Sequence, residues 1–143
     1  MPDEPNTIFV FGSNPEGIHG AGSARIARLY FGARYGQGEG LQGNSYALPT
    51  TILNYDSFGW TPYARKMTLK EITEHIKKMY ECARNYPNKD FKVAYRNQPN
   101  EKTLCGYYGE ELQKCFVDAG PIPDNVWFSE EWVKSGAFDE KNS

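Results

Sequence analysis

Two short stretches concentrate the residues that can do chemistry. The first runs from Val10 to Gly22, VFGSNPEGIHGAG, and holds Gly12, Gly17, Gly20 and Gly22 beside Ser13, Asn14, His19 and Ala21. Glycine admits positive φ and lets a ligand approach the main chain. The stretch leads into a helical pattern, and the free N–H groups and positive dipole end of a helix N-terminus favour an anion such as phosphate. A tight turn alone would need fewer glycines. The second stretch is CGYYG, Cys105, Gly106, Tyr107, Tyr108 and Gly109. It is a further glycine turn before a helix start, with two aromatic rings that can stack on a base or cover a ribose. His19 can serve as a base or hold a phosphate. A Cys105–His19 dyad would require the two stretches to meet in space.

Other patterns carry less. GEGLQG, Gly38 to Gly43, is a literal G-x-G-x-x-G. The dinucleotide fingerprint must follow a strand and open a helix, whereas Gly43 leads into the strand-like NSYALPT. We therefore expect a flexible loop with glycine turns. His75 falls in mid-helix and reads as structural or solvated. Arg96 ends a strand at the expected ligand edge. Three cysteines, without a C-x-x-C pair, and two histidines make a zinc site an unusual ligand set, so no metal and no cofactor is expected. The thiols are expected to be reduced.

These residues must be positioned by a small set of elements. TIFVF, Thr7 to Phe11, reads as a strand buried on both faces. A helix is expected from Gly22 to Phe31, with Ala24, Ala27, Tyr30 and Phe31 on one face and Gly32 as its stop. Asn44 to Thr50 reads as a strand and Ile52 to Met67 as a long irregular loop. Thr68 and Glu71 form a T-x-x-E capping box, ahead of an apolar stripe of Leu69, Ile72, Ile76, Met79, Tyr80 and Ala83. FKVAY, Phe91 to Tyr95, is a strand. Glu110 to Ala119 is a helix, and Asn125 to Phe128 a last strand. Strands alternating with helices predict an α/β fold: one domain with a mostly parallel or mixed central sheet flanked by helices, a core over 7–134 and a mobile tail over 135–143. Ligands of such sheets bind beyond the carboxyl ends of the strands, where both glycine stretches fall.

The chain has 143 residues and a formal charge of −2. That balance supplies no bulk electrostatic footprint for duplex nucleic acid or an anionic membrane. No apolar run is long enough to span a bilayer, and the acidic start does not read as a signal peptide. The expectation is a cytosolic protein.

In the order of its motifs the chain resembles the macro domain family of ADP-ribose-binding modules, and more closely the small macro-like proteins of bacteria and phages. The similarity rests on the strand ending at Asn14, on the HGAG run through Gly20 and Gly22, on GEGLQGNSYALPT, on FKVAY and on CGYYG. It covers Ile8 to Phe128. The resemblance implies that Asn14 contacts the distal ribose. Gly12, Ser13, Gly20, Ala21 and Gly22 would line that ribose and the adjoining phosphate, while Cys105, Gly106, Tyr107, Tyr108 and Gly109 wrap the diphosphate. It implies binding of ADP-ribose or a related NAD-derived nucleotide, with hydrolysis of an ADP-ribosyl linkage as the reaction open to it. Asn14 and His19 are the catalytic candidates. Two features depart from the family: only seven residues precede Ile8, and the aspartate that reads adenine has no counterpart. The alternative is a non-catalytic interaction module that sequesters a nucleotide signal or blocks a host protein. A nucleic-acid-facing ADP-ribose handler is a third reading, against which the net charge counts.

Overall fold

The computed structural model describes residues 6–13, 22–34, 36–56, 59–93, 107–129 and 132, with the backbone alone at 22–24 and 51–66. Its elements in chain order are β1 (Thr7–Ser13), α1 (Gly22–Tyr30), β2 (Gly40–Gln42), β3 (Ser45–Pro49), β4 (Thr51–Asp56), β5 (Gly59–Lys66), α2 (Leu69–Asn85), β6 (Asp90–Val93), α3 (Gly109–Asp118) and β7 (Val126–Trp127). Five strands form one sheet in the order β2-β3-β1-β6-β7, while β4 and β5 pair only with each other. β1 runs parallel to both neighbours, with Phe9 opposite Ser45 and Lys92. β6 and β7 are parallel, and β2 joins the edge antiparallel to β3. The result is the expected α/β fold with a mixed sheet.

The central strand explains the layers. In β1, Ile8 and Val10 point to one face and Phe9 and Phe11 to the other, as the two-residue period requires. Ile8 and Val10 join Tyr46, Leu48, Phe91 and Val93 in a large core under α2 and α3. Phe11 and Ala47 meet Ala27 and Ala33 in a smaller core under α1. Those small side chains let α1 lie close to the sheet. α1 thus covers one face, and α2 and α3 cover the other.

Local chemistry sets the ends of the elements. The capping box of α2 forms as read: Glu71 N–H donates to Thr68 Oγ1 at 3.1 Å, and Thr68 N–H donates to Glu71 Oε1 at 3.0 Å. Ile72, Ile76, Met79, Tyr80 and Ala83 are its buried stripe. At the other end Asn125 gathers the Ala83, Tyr86 and Lys89 carbonyls with its amide, at 2.8, 3.1 and 2.9 Å. Gly32 takes φ +77° and ends α1 as expected.

Five expectations need correction. Tyr30 is 62 % exposed rather than part of the inner face of α1. The helix stops there, and Phe31 turns inward instead, stacking on Phe9 at 4.6 Å between ring centroids. Gly40–Gln42 of GEGLQG is a short edge strand, not a flexible loop, and no helix follows it. Its Gly43 (φ +58°) is required by a backbone crossing, since a Cβ there would stand 2.8 Å from the Gly32 carbonyl oxygen. The stretch expected as an irregular loop from Ile52 forms the β4–β5 hairpin, with Tyr55 opposite Trp60. Loop-favouring Asn54, Asp56, Gly59 and Pro62 masked the β-formers Ile52, Tyr55, Trp60, Thr61 and Tyr63 in the linear reading. β6 begins one residue early, at Asp90, and β7 shortens to Val126–Trp127.

His75 is structural. Its Nδ1 lies 2.6 Å from Glu39 Oε2, and Lys78 Nζ lies 4.0 Å from Glu39 Oε1. The cluster ties the segment before β2 to α2. Cys82 and Cys115 are free thiols. The tail from 135 lies outside the described residues. Among the described residues no helix is long and apolar enough to cross a membrane.

Candidate functional site

Connectivity locates the site. From β1 the chain passes through α1 on one face of the sheet and returns through the edge strand β2 to β3. From β6 it passes through α3 on the other face and returns at β7. β1 and β6 are neighbours, so their onward connections diverge to opposite sides and opposite faces. Between the carboxyl ends of two such strands lies the crevice in which open α/β sheets bind ligands. Residues 14–21 follow β1 and residues 94–106 follow β6, so the connections that carry the two glycine stretches both begin at this switch point. Asn14, His19, Gly20, Ala21, Arg96, Cys105 and Gly106 lie outside the described residues.

The described candidates divide in role. Gly12 is half-buried within β1, and Ser13 is buried at its end. The Ser13 carbonyl accepts Thr50 N–H at 3.0 Å, which fixes the start of the hairpin against the end of β1. Gly22 is the first residue of α1, which has no acidic residue in its first turn. Arg25, one turn in, is exposed. The first turn of α1 therefore adds no carboxylate to the positive end of the helix dipole.

The N-terminus of α3 is built differently. Tyr108 precedes Gly109, and Glu110 and Glu111 stand in the first turn. Glu111 Oε1 accepts Tyr108 N–H at 3.0 Å. An internal carboxylate already holds the amide that a ligand phosphate would use. Tyr107 is half-buried, and its hydroxyl donates to the Met67 carbonyl at 2.7 Å. It anchors the end of the hairpin to the start of α3. Tyr108 stays 39 % exposed. Of these two helix N-termini, that of α1 is the one with no carboxylate in its first turn.

The linear reading missed Glu111 as a competitor, although the Tyr108-x-x-Glu111 spacing carries the signal of a carboxylate reaching back to an N-cap amide. It also missed an open groove of about 570 Å³ lined by Asp90, Lys92, Val93, Trp127, Phe128 and Ser129. There Trp127 Nε1 donates to Asp90 Oδ1 at 3.0 Å. Only sheet pairing brings these residues together, because Lys92 and Trp127 are register partners. Among the described residues no group of three or more histidine, cysteine, aspartate or glutamate side chains is placed to hold a metal ion.

Burial sets the nearby ionisation states. It pushes the Tyr46 hydroxyl well above its ordinary value, helped by the adjacent Cys82 and Glu39 charges. Burial does the same to Tyr80 and raises the Cys82 thiol. These groups are neutral at physiological pH and belong to the core under α2, away from the crevice. Compared with protein-family models, with curated proteins and with solved structures, the chain returns no match.

Proposed function

We propose that this protein binds ADP-ribose or a related NAD-derived nucleotide, with the diphosphate over the N-terminus of α1 in the crevice between the ends of β1 and β6. The observation that carries the reading is the divergence of the two connections at adjacent strands, β1 toward α1 and β6 toward α3. The carboxylate-free first turn of α1 supports an anion at that point. Asn14, directly after β1, is the side chain placed by sequence to hold the distal ribose. In the catalytic form of this reading, Asn14 orients the ribose and His19 moves the proton as water attacks an ADP-ribosyl linkage.

The test is titration calorimetry with ADP-ribose, NAD and ADP, beside thermal shift, since a ligand of the folded state raises the melting temperature. Asn14→Ala and Gly22→Glu should each weaken ADP-ribose binding. Unchanged binding in both variants rejects the reading. A product assay on ADP-ribosylated protein and on O-acetyl-ADP-ribose then separates hydrolysis from binding alone.

A further inference from the structure

The two faces of the sheet are covered unequally. Its four parallel strands lie in the order β3-β1-β6-β7. On the α2 and α3 face the core takes side chains from every one of them, from Leu48 in β3 to Val126 in β7. On the other face the core under α1 takes Phe11 and Ala47, with Phe9 beside them, and nothing from β6 or β7. There Asp90, Lys92 and Trp127 are exposed. Phe9, Lys92 and Trp127 are successive register partners, so they form one row across the sheet. Trp127 Nε1 donates to Asp90 Oδ1 at 3.0 Å, which holds the indole in place. Parallel sheets are covered on both faces as a rule. Among the described residues no helix covers β6 and β7 beside α1.

α1 has the complementary surplus. Its contact with the sheet is made by the small Ala27. Its larger apolar side chains, Ile26, Leu29 and Tyr30, are all exposed, and their spacing makes them neighbours on the helix surface. A helix that is apolar on several sides is one that is buried on several sides. The charges match as well. α1 carries Arg25 and Arg28 and no acidic residue. Arg25 is exposed next to Leu29 on the helix, and Asp90 is exposed next to Trp127 on the sheet. Each chain thus presents, on one face, an uncovered half-sheet and a helix with apolar surface to spare.

We propose that this face is covered by a second copy of the chain. Two copies meet face to face about a two-fold axis, and the α1 of each lies over β6 and β7 of the other. A crossover such as β1–α1–β3 is right-handed. That hand turns Ile26 and Tyr30 toward the β6 side, where the partner's α1 lies. It turns Leu29 away from its own sheet, onto the partner's Trp127 and the partner's Lys92. Arg25 then comes to the partner's Asp90. The interface is isologous, so each contact is made twice. A second copy fits better than an unrelated partner because the helix and the half-sheet it would cover belong to the same face of one chain. The proposal does not rest on the nucleotide reading.

The test is sedimentation of the full chain over a wide range of concentrations, which should show a dimer. Leu29→Glu, on the helix, and Trp127→Ala, on the sheet, should each raise its dissociation constant about tenfold or more. Val117→Glu, at an exposed apolar position of α3 on the opposite face, should leave it unchanged. Circular dichroism checks the fold of each variant. If Trp127→Ala unfolds, Leu29→Glu, at an exposed helix position, decides. Leu29→Cys and Lys92→Cys chains, mixed under oxidised glutathione, should give a disulfide-linked dimer that neither variant gives alone. A chain that stays monomeric at every concentration overturns the proposal. So does a dimer that keeps its full affinity in Leu29→Glu, or one that Val117→Glu abolishes. A mixture that cross-links no better than either variant alone overturns the face-to-face arrangement. None of these readouts involves ADP-ribose, so the nucleotide reading stands or falls separately.

Discussion

The N-termini of α1 and α3 reach the same edge of the same sheet from opposite faces, and they are finished in opposite ways. α3 opens on Glu110 and Glu111, and Glu111 closes back on the Tyr108 amide at 3.0 Å. α1 opens on Gly22, Ser23 and Ala24 with no carboxylate in its first turn. Each helix end has unmet N–H groups and a positive dipole. α3 satisfies one of them with its own side chain, whereas the first turn of α1 carries no carboxylate. A glycine before a helix is thus a weak sign of a ligand unless the first-turn charges are read with it.

The largest effect that tests this contrast is on binding. Gly22→Glu places a carboxylate at the open end and should weaken ADP-ribose by about 100-fold, roughly 2.7 kcal/mol, as read by calorimetry. A loss below about threefold, roughly 0.6 kcal/mol, would move the phosphate site away from α1. The matching change on the other helix should act on stability alone. Glu111→Ala removes the carboxylate from Tyr108 N–H and should cost about 1 kcal/mol in denaturant unfolding, with ADP-ribose affinity unchanged. If affinity falls as well, the two ends form one cradle and the contrast breaks.

Tyr107→Phe is a smaller probe on the α3 side. It removes the hydroxyl from the Met67 carbonyl and should cost between about 0.5 and 1.5 kcal/mol of stability. Free ADP-ribose binding should again be unchanged. The last effect is nil at neutral pH. Tyr46 and Tyr80 are raised by burial, so the unfolded chain releases their protons first. Their contribution is fully present below the unfolded tyrosine value of about 10 and is lost as pH rises beyond it. Unfolding followed from pH 8 to pH 12 should show stability falling above about pH 10, with a shallower fall in Tyr46→Phe. An unchanged slope in that variant would remove Tyr46 from the account.

Much of the scaffold was legible because its signals are local. The Thr68–Glu71 box, the stripe from Ile72 to Ala83 and the β-rich run at Thr7 to Phe11 each lie within one element, and short-range sterics decide them. Gly32 was readable as a stop for the same reason. The hairpin was not. Tyr55↔Trp60 and Ile52↔Arg65 are pairings, and pairing overrides the loop preference of Asn54, Asp56 and Pro62 taken singly. Tyr30 failed because the inner face depends on where the helix ends, and the Phe9–Phe31 stack sets that end. Of the site, the start of α1 at Gly22 was legible. The fate of the Tyr108 amide was written in the spacing to Glu111 but is outweighed, in a linear reading, by the two glycines around it.

By itself the sequence determined the strand at the start of β1, the start and stop of α1, the capped helix α2 and which helix N-termini carry acid. These follow from dihedral limits, capping and charge within a few residues. Tertiary structure alone decided that β1 sits between β3 and β6, that the connections of β1 and β6 diverge, and that the hairpin roots at Ser13 and Tyr107. Those choices depend on burying both faces of one sheet at once, through contacts between residues some forty positions apart that no local pattern encodes.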